Sequence, residues 1–297
     1  MVRFKWKRFR PKHKGNLHDH TSFEVDTIYT RAREIVDEAM QSVRSGRGSR
    51  GRLKRINEAL HKLVKHNSPD PEYRLARLIL RTPGAVRAQM EMDKHQSGYS
   101  DYKTRLFELI DFNDAFDDTV LSLPEELLSD FPERLKNEME VFCRDNHTEM
   151  FSDRQYEAIV YGLSREIALY RGAKKLGYQV RMTSRVQDAM GVDMVITDPQ
   201  TKKSINIDCK TRSSFHFRLI KLLHKHRINE GERLRCELSG FCKVRNKRDN
   251  GYLETVLFRL SDEELGGIEN FDYIKIDPLA KQIRKALEEH GVYINQI

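Results

Sequence analysis

The run QDAMGVDMVITDPQTKKSINIDCKT, residues 187–211, decides how the C-terminal half of this chain is read. Two β-rich segments, Val192–Thr197 and Ser204–Cys209, flank Asp198-Pro-Gln-Thr-Lys-Lys, a turn signal. A hairpin centred on Gln200–Thr201 sets Asp193 opposite Asp208. Register matters here, because a slip of one residue turns the partner side chain to the other face. In the second strand Ile205, Ile207 and Cys209 share one face, and Asn206, Asp208 and Lys210 share the other. In the first strand Val192, Met194 and Ile196 lie together, and Asp193 points away beside Val195. Two acids and a lysine among apolar neighbours would be costly if desolvated without partners. Metal coordination would satisfy the acids, since Mg²⁺ takes oxygen ligands and keeps several waters.

Working outward, a long helix is expected over Asp153–Leu176, ended by Gly177, followed by a strand at Tyr178–Met182. Beyond the hairpin come a helix from about Ser213 to His226 and strand-like stretches near Arg233–Val244 and Leu253–Leu260. Tyr273–Ile276 reads as a final strand and Pro278–His290 as a last helix. Helix, three strands, helix and further strands make an α/β or α+β arrangement. At about 100° per residue, Glu166 falls inside the apolar arc of Leu163, Ile167, Tyr170 and Ala173, whereas Glu157 falls on the solvent side. A core-facing glutamate calls for a partner or a ligand, which makes Glu166 the better candidate.

These residues together resemble the PD-(D/E)xK nuclease superfamily. That superfamily carries an acid on one strand and acid-x-Lys on the next, often with a Glu on the preceding helix. The segments concerned are QDAMGVDMVI (187–196) and INIDCKT (205–211), within a stretch of about 153–227. Val192 stands where the family often has Pro. The resemblance implies a restriction-endonuclease-like core, a mixed sheet flanked by helices. It implies Asp193 and Asp208 as ligands for Mg²⁺, with Mn²⁺ a substitute, and Glu166 as the helix acid. It implies Lys210 as the residue that orients or activates water. The expected activity is metal-dependent hydrolysis of DNA, as an endonuclease, with dimerisation expected if both strands are cut.

The N-terminal half reads differently. Ile28, Ala32, Ile35, Val36, Ala39 and Val43 recur at helical spacing, as do Ile56, Leu60, Leu63 and Val64. Ser68-Pro-Asp-Pro breaks the pattern, Tyr73–Leu80 resumes it, and Thr82-Pro-Gly is expected to stop it. Tyr102–Ile110 reads as a short helix, and the following acidic stretch, with Asp111, Asp114, Asp117 and Asp118, carries no recognisable chemistry. The boundary is placed near residue 150. Residues 1–150 are then a basic, mainly helical nucleic-acid-binding region, and residues 151–297 the nuclease domain.

Charge distribution supports that division. Residues 1–14 hold seven Lys or Arg and no acid, and a Gly-rich stretch holds Arg44, Arg47, Arg50, Arg52, Lys54 and Arg55. With a net charge of +8, these clusters leave the rest of the chain net acidic. Concentrated cationic charge suits a polyanion, through release of counterions from phosphate. Arg212, Arg218 and Lys221 on the helix after Lys210 either contact phosphate or form a solvated basic face. Lys243, Arg245, Lys247 and Arg248 precede Asp249-Asn-Gly, a turn signal, and make a basic hairpin loop.

Other patterns are blander. Asp188 reads as a turn residue before Gly191, with a place near the metal as the sharper option. His18-Asp-His20 lacks a third ligand and reads as exposed polar sequence. Cys143, Cys209, Cys236 and Cys242 are too scattered for a disulfide framework or zinc knuckle, which suggests free thiols in a cytoplasmic, reducing setting. No segment has the length or apolarity of a membrane span. A nuclease for RNA, or for branched or single-stranded DNA, and a catalytically inactive nucleic-acid-binding module are the alternative readings.

Overall fold

A computed structural model describes residues 20–43, 48–94, 102–248 and 251–293. The basic arm at 1–14, His18 and Arg47 lie outside the described residues, as do the side chains of His20 and Arg50.

Among the described residues six α-helices come first: α1 (His20–Gln41), α2 (Gly48–His66), α3 (Pro71–Lys94), α4 (Tyr102–Val120), α5 (Phe131–Asp145) and α6 (Asp153–Lys175). Their apolar faces bury Ile35, Ile56, Leu75, Leu78, Phe112, Phe116, Phe131 and Leu135 in one core, which also takes Tyr156, Leu163 and Ile167 from α6. From Ala168 onward α6 packs in a second core, against the sheet. One helix is thus shared by both cores.

Two expectations for this region need correction. Thr82-Pro-Gly does not stop α3, which runs through Pro83 to Lys94. An interior proline removes one N–H and costs about 3 kcal/mol. Here Leu75, Leu78 and Ile79 before it and Ala85, Val86 and Ala88 after it are all buried, and that packing outweighs the local penalty. The Thr82 hydroxyl donates to the Leu78 carbonyl at 3.3 Å. Likewise α4 continues ten residues past Ile110, because Phe112, Phe116 and Val120 form one fully buried stripe.

The remaining elements are β1 (Gln179–Met182), α7 (Arg185–Asp188), β2 (Met194–Thr197), β3 (Lys203–Thr211), α8 (Arg212–His224), α9 (Glu230–Ser239), β4 (Phe241–Arg248) and β5 (Gly251–Leu260). After them come α10 (Asp262–Leu265), the small pair β6 (Ile268–Glu269) and β7 (Asp272–Tyr273), α11 (Ile276–His290) and β8 (Val292–Tyr293). The main sheet runs β1-β2-β3-β5-β4, with β8 pairing the start of β3. It is mixed: β3 and β5 are parallel, and the other pairs are antiparallel. One face packs on α6 and α11 through Met194, Ile196, Ile205, Ile207, Val256 and Phe258. The other is covered by α8, whose Phe215, Leu219 and Leu222 meet Cys242, Val244 and Leu257. The fold is α+β, with a helical N-terminal region.

Three boundaries differ from the expected ones. Residues 233–239 are helical, within α9, and the strand begins only at Phe241. Asn229 and Glu232 form a capping box, and Gly240 ends the helix at φ 77°, a left-handed conformation that suits glycine. At the end of the chain β7 stops at Tyr273, and Ile276 already opens α11.

Candidate active site

The β2–β3 hairpin has the register the spacing implied, with Met194 opposite Ile207, Val195 opposite Asn206 and Ile196 opposite Ile205. The Asp198 carboxylate holds the turn, accepting from the Gln200 N–H at 2.9 Å and the Thr201 hydroxyl at 2.7 Å. Asp193 lies just before β2, its N–H donating to the Ile207 carbonyl at 2.8 Å. Its carboxylate Oδ2 accepts the Cys209 N–H at 2.6 Å, so the side chain serves as the last rung of the ladder. That bond fixes Asp193 beside residues 208–210.

Strand alternation places Asp208 and Lys210 together. Asp208 is 5% exposed, and the Lys210 ammonium rests on its Oδ1 and on the Cys209 carbonyl at 3.1 Å. Glu166 arrives from α6 at the point where that helix passes from one core to the other. Asp188 comes from α7, tied to the strand by the Val192 N–H donating to the Gln187 carbonyl at 3.1 Å. Asp193, Asp208 and Lys210 thus meet at one end of β3, and Glu166 and Asp188 lie near enough for their charges to interact with that group.

The electrostatics reflect crowded, desolvated acids. Burial and the neighbouring Asp208 charge push Asp193 up to about 7, against the pull of Lys210 and the Cys209 N–H. Burial and Asp208 raise Asp188 to about 6. Burial, then Asp193, Asp117 and Asp188, hold Glu166 well above the usual carboxylate range. Burial raises Asp208 despite Lys210 and Arg218. Burial opposes the Lys210 ammonium, but Asp208 and Asp193 more than offset it and keep its pKa above normal.

Sequence reasoning missed two members of this neighbourhood. Asp114 and Asp117 of α4 belong to the helical region, yet α4 packs on α6 and α7. Asp111 anchors that contact through Arg185 of α7 at 3.1 Å, with Arg81 at 3.3 Å on its other side. Burial and Asp188 raise Asp114 to about 7. Asp117 is 6% exposed, and burial, Asp114, Asp118, Asp188 and Asp193 raise it well above its usual range. The signal was the acid spacing around buried Phe112 and Phe116. Taken alone, the acidic stretch carried no recognisable chemistry.

The cationic candidates divide. Arg212 is exposed and bonded to Glu263, which leaves it less available to phosphate. Arg218 is partly buried, interacts with Asp208, and has an Nε with no hydrogen-bond partner. Exposed Lys221 lies 5.7 Å from the centroid of the Phe217 ring. Arg218 and Lys221 line a cleft of about 600 Å³ with Lys210, Ser213, Ser214 and Phe217. In the helical region Arg52 is partly buried, while Arg55 donates to the Met40 carbonyl at the end of α1. Lys243 and Arg245 are paired with Glu254, so part of the basic hairpin is internally neutralised.

Among the described residues, no group of three or more His, Cys, Asp or Glu side chains stands ready to hold a metal ion. Asp208 is held by Lys210 and Asp193 by the Cys209 N–H. No helix of the described residues is long and apolar enough to cross a membrane. No family model matches the chain, and no curated protein or solved structure is significantly similar to it.

Proposed function

We propose that this chain is a metal-dependent nuclease of the PD-(D/E)xK kind that hydrolyses phosphodiester bonds in DNA. The observation that carries the reading is the junction at the end of β3. Asp193 is fixed to the Cys209 N–H, and Asp208 and Lys210 project together beside it. A mixed sheet flanked by helices, with Glu166 on the helix before the hairpin, supports the same reading.

The donor set suits a hard divalent cation. It consists of carboxylate oxygens whose mutual repulsion a dication would relieve. Asp193, Asp208 and Glu166 would hold Mg²⁺ or Mn²⁺. Such an ion, when bound, polarises a phosphoryl oxygen and acidifies coordinated water. Mg²⁺ keeps several waters and is commonly held by one or two carboxylates together with substrate phosphate, so a preassembled three-ligand cluster is not required.

Lys210 supplies what this chain itself adds. Its ammonium, fully protonated at neutral pH, would stay near the attacking oxygen and offset negative charge developing on the phosphorane. Arg218 and Lys221 would hold the phosphates that flank the scissile bond in the adjoining cleft. The basic stretch around Arg47, Arg50 and Arg52 would add sequence-independent affinity from the helical region. Cutting both strands would require two such sites, hence a dimer.

The test is incubation of the purified chain with supercoiled, linear, single-stranded and branched DNA and with RNA, in Mg²⁺, Mn²⁺ or EDTA. Metal-dependent DNA products support the proposal. Cleavage of RNA alone would replace the substrate, and no cleavage under any condition would overturn it.

A further inference from the structure

The two phenylalanines of α8 face opposite ways. Phe215 turns inward with Leu219 and Leu222 and meets Cys242, Val244 and Leu257 on the sheet. Phe217 stands about 160° around the helix from both Phe215 and Leu219, and it is 66% exposed. It therefore adds little to the core, and a phenyl ring in water gains by being covered.

The surroundings of the ring indicate what would cover it. Phe217 lines the cleft of about 600 Å³ that also takes in Lys210. Among the described residues, the charged ones lining that cleft are Lys210, Arg218 and Lys221, all cations. The Lys221 ammonium lies 5.7 Å from the ring centroid, and the exposed side chains of Ser213 and Ser214 add hydroxyl donors. An apolar protein segment would bring nothing to meet those charges and hydroxyls. A nucleic-acid strand brings both parts, phosphates for the cations and a flat base for the ring. In a continuous duplex the faces of the bases are already stacked on one another, so only an unpaired base can lie on Phe217.

We propose that Phe217 is a stacking platform for an unpaired base of single-stranded DNA whose phosphates are held by Arg218 and Lys221. This rests on the reading of the cleft beside Lys210 as the path of a DNA strand. It adds a substrate preference, for strand with unpaired bases over continuous duplex. Stacking uses the face of a base and not its edge, so the preference concerns strandedness rather than sequence.

The test is fluorescence anisotropy of the full chain in EDTA, with labelled oligothymidylate and with a continuous duplex of equal length, at several salt concentrations. Phe217→Leu keeps an exposed apolar side chain and removes the ring. It is expected to bind the single strand at least about fivefold more weakly, with duplex affinity and the salt slope unchanged, because the slope counts phosphate contacts. Phe217→Trp is expected to bind the single strand at least as tightly as wild type. Single-strand affinity of Phe217→Leu equal to that of wild type would overturn the platform, and so would an equal loss on strand and duplex. If wild type cleaves DNA in Mg²⁺ in either case, the nuclease reading survives. The expected losses in a chain that cleaves nothing would uphold the platform and overturn the nuclease reading. Failure of wild type to bind strand or duplex would overturn both the platform and the cleft as the path of DNA.

Discussion

In the proposed reaction Lys210 and Asp208 carry the chemistry, and they are expected to respond differently to substitution. Asp208 is buried against the lysine, so removing the ammonium leaves a carboxylate without its main partner. Lys210→Met should therefore lower cleavage about 100-fold or more while retaining measurable Mn²⁺ binding, checked by calorimetry beside the activity assay. Loss of binding with the lysine would mean it orders the ligands rather than serving the reaction. The acids also predict a pH dependence. Asp114 and Asp193 sit near about 7 and Asp188 near about 6, all raised from 3.8 by burial and like charges. The folded state then holds protons that the unfolded chain releases from about pH 4 upward. Their stabilising contribution is complete below that pH and is lost as pH rises through 6 and 7. In EDTA the urea midpoint should fall from pH 5 to pH 8, and Asp114→Asn should flatten the fall. A midpoint that rises over this range would contradict the assignment.

At the scale of elements, α4 ties the helical core to the site. Phe116 is fully buried against Phe131, with ring centroids 5.4 Å apart, one residue before Asp117. Phe116→Ala should destabilise the chain by about 3–5 kcal/mol in urea unfolding. α8 makes a separate prediction: Arg218→Glu should weaken DNA binding and reduce the salt slope by about one, read by titration in EDTA at several salt concentrations. An unchanged slope would assign Arg218 to Asp208 alone. The hairpin register and the alternation of β3 were legible in the sequence, because each follows from a local period of two residues. The continuation of α3 through Pro83 was not, since tertiary packing overrides a local breaker there. The strand expected across 233–239 ignored the Asn229–Glu232 box, a signal that was present. The place of Asp114 and Asp117 depends on a contact between segments some seventy residues apart, which no local pattern records.

For the whole molecule, the two cores meet within α6, and the acids collect where they meet. Glu166 lies one residue before the last of that helix's contributions to the helical core, Ile167. A cation bound at this junction would stabilise both sides at once, by mass action on the folded state. The central claim is that this junction is a metal-dependent DNA-cleaving site. It is tested most directly by nicking of supercoiled plasmid with wild type and Asp208→Asn, each in Mg²⁺ and in EDTA. The account predicts cleavage by wild type in Mg²⁺ alone and none by the folded Asp208→Asn protein in either condition. Equal cleavage by the two proteins, or wild-type cleavage that persists in EDTA, would contradict it.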